Sequence, residues 1–224
     1  MELKGKIVNF LGDSITEGVG VSDIENSRYD NVLKRTYGIA ETNNYGIGGT
    51  RLAHQMKPSE NPRYDLCFCG RAYNLKKGAD LIVVYGGVND YIHGDAPIGS
   101  WGDKTPETFY GGVYFLMNFL LENYPESKVV FMTPARCVCR GISDLVPSTR
   151  PMKKADAMPL KNYVDIIEKT ANHFGIPVLN LYDKLGIDPN NEKDRVELTA
   201  DGLHFNDKGH AIIAERLGDF ISAL

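Results

Sequence analysis

KIVNFLGDSITEG, residues 6–18, is the stretch that decides the fold. Its apolar run stops at a glycine, an acid and a serine, which is typical of a strand that is buried on both faces and ends in a turn. Ser14 then stands directly after the strand, as a nucleophile or as an ordinary turn hydroxyl. A nucleophilic serine needs a base, an orienting acid and N–H donors from the rest of the chain.

Four further runs of the same kind predict four more strands. They are a short strand within IAETNNYGI (39–47), then ADLIVVYGG (79–87), SKVVFMTP (127–134) and IPVLNLY (176–182). Helical patterns separate the later runs. One is predicted from Thr105, with a proline next to it, to about Tyr124; a second from Leu160 to Phe174 is stopped by Gly175; the last runs from about Asn206 to Leu224. This alternation predicts an open, doubly wound α/β sheet.

Length and composition narrow the class of protein. The chain has 224 residues, which suits a single domain over 1–224, and its net charge of −4 gives no general attraction to nucleic acid or anionic membranes. Its apolar runs are too short to span a bilayer. The first residues do not read as a signal peptide, so we expect a cytoplasmic protein that makes no membrane insertion. No pattern specifies an oligomeric state.

The four cysteines form two C-x-C pairs, Cys67/Cys69 and Cys137/Cys139. Structural zinc sites favour a C-x2-C or wider spacing. In an extended segment, residues i and i+2 share a face, so we expect buried thiols and no metal.

Polar motifs follow the predicted strands, each at the same end. GDS follows the first strand, GIGGT the second, GGVND the third and TPARCVCRG the fourth. Because ligand sites of such sheets form at the carboxyl ends of the strands, these motifs are predicted to meet on one edge.

A base for Ser14 is best sought among the five histidines. His204 lies in ADGLHFNDKGH, three residues after Asp201, and in a turn that spacing can bring a carboxylate to one imidazole nitrogen. The alternative is that these polar residues simply cap the last helix, as Asn206 and Asp207 could. The other histidines are predicted in loops, where they could contact substrate (His54, His93), or within helices (His173, His210).

Two motifs can supply donors for a negatively charged oxygen. NNYGIGGT offers a backbone N–H at Gly48 or Gly49, and GGVND offers the side-chain amide of Asn89. Both stretches are also ordinary turn sequences, so neither motif alone specifies a function.

The four motifs together, from Gly12 to His210, resemble those of the SGNH hydrolase superfamily, the GDSL-type esterases, lipases and acylhydrolases. GDSIT corresponds to the family's first block, with isoleucine where the name-giving pattern has leucine. The resemblance implies that Ser14 is the nucleophile, that Asp201 and His204 are the acid and base, and that Ser14, Gly49 and Asn89 form the oxyanion hole.

The resemblance also implies a three-layer α/β/α sandwich around a five-stranded parallel sheet with flavodoxin-like topology. It implies serine acyl-enzyme chemistry without a metal or other cofactor. The G-x-S-x-G elbow of the α/β-hydrolases is absent around Ser14. Asp13 is expected either to cap the loop beside the nucleophile or to contact substrate.

Two stretches are predicted as substrate walls. Residues 91–105 contain Tyr91 and Trp101, and the Trp101 ring can stack on a sugar or pin a loop. Residues 136–158 begin at Arg136 and carry five basic side chains against two acidic ones, either to bind an anionic or polar substrate or as an ordinary solvated loop. These polar stretches favour a small soluble ester, such as an acylated carbohydrate, over a lipid. The alternatives are a lysophospholipase or thioesterase, and an inactive ligand-binding protein on the same scaffold. A nucleotide-binding module is disfavoured, because G-x-G-x-x-G and P-loop motifs are absent.

Overall fold

The computed structural model describes residues 1–138 and 158–224. Its five strands are β1 (Ile7–Gly12), β2 (Glu41–Gly46), β3 (Leu81–Tyr85), β4 (Lys128–Met132) and β5 (Val178–Leu179). Its α-helices are α1 (Ser14–Glu17), α2 (Ile24–Ser27), α3 (Tyr29–Tyr37), α4 (Phe68–Arg71), α5 (Val88–Ile92), α6 (Phe109–Asn123), α7 (Leu160–Phe174), α8 (Leu181–Lys184), α9 (Glu192–Leu198) and α10 (Asp207–Ser222). Two 3₁₀ turns cover Pro62–Asp65 and Ala72–Asn74.

The strands form one parallel sheet in the order β2-β1-β3-β4-β5. This is the predicted doubly wound, flavodoxin-like topology. Strand β2 lies on one side of β1, and β3, β4 and β5 follow on the other side, so the order of strand addition reverses at β1. The register aligns Gly12 of β1 with Gly46 of β2 and with Tyr85 of β3. The loops that follow these three strands therefore begin side by side on one edge.

Helices cover both faces of the sheet, so the predicted three layers are confirmed. Successive strand residues point to opposite sides: Phe10 and Val83 pack in one core, and Leu11 and Val84 in the other. The first core includes α3 and α10, and the second includes α4, α6 and α7. Burial on both faces explains why β1, β3 and β4 are apolar runs without alternation.

Some element bounds differ from the prediction for local reasons. Helix α6 begins at Phe109 because the Thr108 side chain caps it by accepting from the Gly111 N–H, so Pro106 lies before the helix. Strand β5 has two residues because the Asn180 side chain starts α8 directly after Leu179. Strand β2 is polar and half-buried, which suits its position at the edge of the sheet.

The expected buried thiols are found at Cys67 and Cys69, while Cys137 is half-buried and Cys139 lies outside the described residues. Within residues 1–138 and 158–224, no helix has both the length and the apolar composition that crossing a membrane requires.

Candidate active site

The loop after β1 presents Ser14 at the start of a single helical turn. The Asp13 carboxylate accepts from the Ile15 N–H at 3.0 Å and thereby caps α1. Ser14 is the first residue of that turn and is 7% exposed. A strand that changes to a helix within two residues holds the hydroxyl at the carboxyl edge of the sheet.

The loop before α10 brings His204 to this hydroxyl. The Oδ1 atom of Asp201 accepts from the backbone N–H groups of Leu203 and His204, at 3.0 and 2.8 Å, which fixes the carboxylate. Its Oδ2 atom lies 3.0 Å from His204 Nδ1, and His204 Nε2 lies 2.8 Å from Ser14 Oγ. With its proton on Nδ1, where Oδ2 accepts it, the neutral ring carries a lone pair on Nε2 that can accept the proton of Ser14.

Capping of α10 is carried out by a different residue. The side chain of Asn206 accepts from the N–H groups of Lys208 and Gly209. The alternative that Asp201 and His204 are only helix-capping residues is therefore not what the structure shows. Their side chains point to Ser14.

The loop after β2 offers one backbone donor at Ser14. The Gly48 N–H is already bound to Glu17 Oε2 at 2.7 Å, whereas the Gly49 N–H has no hydrogen-bond partner among the described residues. Gly49 has a φ of +77°, and a Cβ there would lie 2.5 Å from the ring of Tyr64. The positive φ and the nearby ring mean that only glycine fits this position. Its N–H remains available as a donor.

The loop after β3 brings the Asn89 amide to the same place. Asn89 Nδ2 donates one hydrogen to the Thr50 carbonyl at 3.0 Å, which ties it to the loop after β2. The next residue, Asp90, accepts from the N–H groups of Leu52 and Ala53, each at 3.0 Å. Burial raises the pKa of Asp90 to about 6, opposed by these N–H groups and by the charge of Arg51.

These groups line a pocket of about 310 Å³ that holds Ser14, Gly49, Asn89 and His204. Its apolar lining comes from Val19, Ile92 and Leu203, and its polar lining also includes Gly48, Glu17, Arg63, Tyr64 and His93. Glu17 pairs with Arg63, so the pocket lining includes a neutralised ion pair.

Sequence reasoning missed Glu17, Arg63, Tyr64 and Asp90 as parts of the site. Glu17 stands three residues after Ser14, on the same side of one helical turn, and that spacing was a usable signal. Asp90 was visible within GGVND. Arg63 and Tyr64 lie in a stretch without periodicity.

Of the residues expected to contact substrate, some line the pocket and others lie outside it. His93 lines the pocket, whereas His54 is exposed outside it. Asp13 is buried as the cap of α1 and is not among the lining residues. The structure thus places Asp13 in the capping role.

The structure does not bring Tyr91, Trp101 or Arg136 to the pocket lining. Tyr91 is buried in the core, edge-on to Tyr163 at 5.8 Å. The ring of Trp101 packs against His173 and beneath Lys169, which are on α7. Arg136 binds the Tyr182 carbonyl at 3.0 Å. The basic side chains expected further along that wall, from Arg140 to Lys154, lie outside the described residues.

Comparison with known proteins finds a matching family. The model of the GDSL-like lipase/acylhydrolase family matches residues 10–212. No curated protein matches the chain. The crystal structure of a protein from Lactobacillus plantarum is 27% identical, with 98% of each chain covered and a TM-score of 0.83.

Two more distant structures share the fold. The aryl esterase of M. smegmatis is 18% identical over 98% of this chain and 99% of its own, with a TM-score of 0.70. A carbohydrate acetylesterase family member from Sinorhizobium meliloti is 15% identical over 97% and 98%, with a TM-score of 0.63.

Proposed function

The chain belongs to the GDSL-like lipase/acylhydrolase family and is an ester hydrolase, and from this premise we propose that it cleaves small soluble carboxylic esters through an acyl-enzyme on Ser14. The observation that carries the proposal is the continuous hydrogen-bonded path from Asp201 through His204 to Ser14 Oγ, with steps of 3.0 and 2.8 Å. Each atom along it has the donor or acceptor character that proton removal from serine requires.

Acylation follows from the positions of these atoms. Ser14 Oγ attacks the ester carbonyl carbon while its proton passes to His204 Nε2. The carbonyl oxygen becomes negatively charged and accepts from the N–H groups of Ser14 and Gly49 and from Asn89 Nδ2. When the tetrahedral intermediate collapses, the ester C–O bond breaks and His204 gives its proton to the leaving alcohol. Asp201 holds the imidazolium ion while it is charged.

Deacylation repeats the sequence with water. His204 takes a proton from a water molecule as its oxygen attacks the acyl carbon. The same donors hold the oxyanion, and collapse returns the proton to Ser14 Oγ and releases the carboxylic acid. The proposed chemistry needs no metal or cofactor.

The size and polarity of the pocket support a small substrate. A pocket of about 310 Å³ whose lining includes the Glu17–Arg63 pair suits a short acyl group on a polar alcohol better than a long alkyl chain. A carbohydrate is one such alcohol, and the distant fold relative named as a carbohydrate acetylesterase family member is consistent with that class. A lipid acylhydrolase or thioesterase would need room for a longer chain.

We expect Ser14→Ala to abolish both ester hydrolysis and labelling by a phosphonate serine probe, because the nucleophile is lost. The loss of kcat should exceed about 10⁴-fold. Ser222→Ala, at the exposed end of α10, is the matched control and should retain both. Wild-type turnover of p-nitrophenyl esters should fall from acetyl to decanoyl. Equal labelling of Ser14→Ala would overturn the nucleophile assignment, and best turnover of the long chains would favour the lipid alternative.

A further inference from the structure

The ring of His93 is held at both of its nitrogens. His93 follows α5 and lines the pocket beside Asn89. Its Nε2 atom lies 3.0 Å from Asn89 Oδ1, and its Nδ1 atom lies 2.9 Å from a terminal nitrogen of Arg51. The three side chains therefore form a row that ends at the Asn89 amide.

The chemistry of this row allows one arrangement of protons. A guanidinium has only donors, so Nδ1 of His93 must accept from Arg51. The ring is then neutral and carries its proton on Nε2, which donates to Asn89 Oδ1. Consequently Asn89 directs Oδ1 toward His93 and Nδ2 away from it. One hydrogen of Nδ2 binds the Thr50 carbonyl, and the second has no partner among the residues that the structure describes.

The side chain of Arg51, at the other end of this row, is itself held in place by its contacts. Its side chain is 3% exposed, and its other terminal nitrogen donates to the Tyr64 carbonyl at 2.7 Å. The same nitrogen approaches Ser59 Oγ at 3.3 Å and Asp65 Oδ1 at 3.4 Å. Arg51 thus joins the residue that covers Gly49 to the residue that orients Asn89.

We propose that Arg51 and His93 are positioning residues that lock the Asn89 amide with its N–H, and not its carbonyl, toward the oxyanion. This inference rests on the proposed ester hydrolysis. Without the His93 donor, only the Thr50 carbonyl would hold the amide, and rotation by half a turn would place Oδ1, which is partially negative, where negative charge develops. His93 therefore acts on the reaction through Asn89, without exchanging a proton with the substrate.

A double-mutant cycle tests the proposal. His93→Phe keeps a ring but removes the donor, and His93→Gln restores a donor and an acceptor on one side chain. We expect Asn89→Ala and His93→Phe each to lower kcat, the former by about 10²- to 10³-fold, with little change in KM. In the Asn89→Ala background, adding His93→Phe should cause no further loss. His93→Gln should recover much of the activity.

Independent losses that multiply in the double variant, with no recovery in His93→Gln, would overturn the proposal, because His93 would then be merely structural. His54→Phe, in a neighbouring loop outside the pocket, is the control and should leave kcat unchanged. If Ser14→Ala is as active as the wild type, the proposed function fails. If the wild type depends on Ser14 but His93→Phe is fully active, only this inference fails.

The tautomer of His93 in the wild-type protein gives a readout that does not depend on activity or on the folding of a variant. A ¹⁵N–¹H NMR spectrum of the wild-type histidine rings should show His93 neutral and protonated at Nε2. Arg51→Met should allow the Nδ1 tautomer as well, because the obligatory donor is gone. A wild-type His93 that carries its proton on Nδ1 would contradict the hydrogen-bond row and with it the proposal.

Discussion

Asp13 combines two properties that oppose each other: its carboxylate caps the turn that carries Ser14, and it is almost completely buried. Burial raises the pKa of Asp13 to about 7, and the positive charge of Arg71 and the Ile15 N–H offset only part of this effect. Between the unfolded pKa near 3.8 and about 7, the folded protein holds a proton that the unfolded chain has lost. The contribution of Asp13 to stability therefore falls as pH rises through this window.

Asp13→Asn removes this titration and keeps an oxygen for the Ile15 N–H. We expect the unfolding free energy of the variant, relative to wild type, to improve by about 1.4 kcal/mol per pH unit between pH 5 and 7, as measured by urea denaturation. Asp23→Asn is the matched control, since Asp23 also caps a four-residue helix but is exposed and has a lowered pKa. A constant difference between Asp13→Asn and wild type would show that Asp13 stays ionised in the folded state.

At this scale the sequence predicts the polar residues that the structure brings together around Ser14, and it misses others that line the pocket. Ser14, Asn89, Asp201 and His204 stand in short motifs at strand ends, where topology brings them together. The positions of Arg63 and Tyr64 are set instead by contacts across the loops, such as the bond from Arg51 to the Tyr64 carbonyl. No local pattern encodes such a contact.

At the scale of elements, Arg71 holds the ends of two strands in place. This buried guanidinium at the end of α4 donates to the Gly12 carbonyl at 3.0 Å and to the Tyr45 carbonyl, at the ends of β1 and β2. It also donates to Thr50 Oγ1 at 2.8 Å and to the Leu66 carbonyl at 2.9 Å. Burial lowers its pKa to about 10, so it remains charged at neutral pH.

Arg71→Met should therefore leave several buried acceptors without donors. We expect the unfolding free energy to fall by about 3–5 kcal/mol in urea denaturation, with Arg71→Lys recovering part of the loss because its ammonium retains three donors. Arg216→Met, at an exposed position of α10, should change stability by less than about 0.5 kcal/mol. An Arg71→Met variant as stable as Arg216→Met would show that water replaces the guanidinium.

The elements that were predictable are those whose periodicity extends over many residues. Helix α7 has its predicted bounds because its apolar face repeats regularly and Gly175 ends it. Helix α3, with the sequence YDNVLKRTY, was missed because it is short and mostly polar, and packing against α10 stabilises it. The stability of such a short helix comes from tertiary packing and not from the helix propensity of its residues.

At the scale of the whole molecule, the three-layer fold was predictable because both faces of β1, β3 and β4 are apolar. Strand order was implied by the family resemblance, since hydrophobic periodicity specifies which residues are buried and not which strands are neighbours. The motif loops converge because the register places Gly12, Gly46 and Tyr85 in line. The site is thus a consequence of the sheet as a whole.

His210 links the two helices of one outer layer. Its Nδ1 atom accepts from the Tyr29 N–H at 3.2 Å, and its ring stacks on Tyr29 with centroids 5.8 Å apart. Burial lowers the pKa of His210 to about 4, although Asp30 and Asp207 favour the charged form. The unfolded chain therefore binds a proton below pH 6.5 that the folded protein excludes until about pH 4, so stability falls on acidification through this window.

His210→Asn tests whether this one ring contributes to the acid sensitivity of the molecule. Asparagine can keep an acceptor for the Tyr29 N–H but cannot titrate. Because the substitution removes the stacked ring, the variant should be less stable than wild type at pH 8. Its deficit relative to wild type should narrow by about 2 kcal/mol between pH 7 and pH 5 in urea denaturation. The control Asn172→Ala, at an exposed position of α7, changes no titratable group and should show no narrowing. If the unfolding free energies of His210→Asn and wild type changed in parallel between pH 7 and pH 5, His210 would be protonated in the folded protein. The layer of α3 and α10 would then tolerate a buried charge.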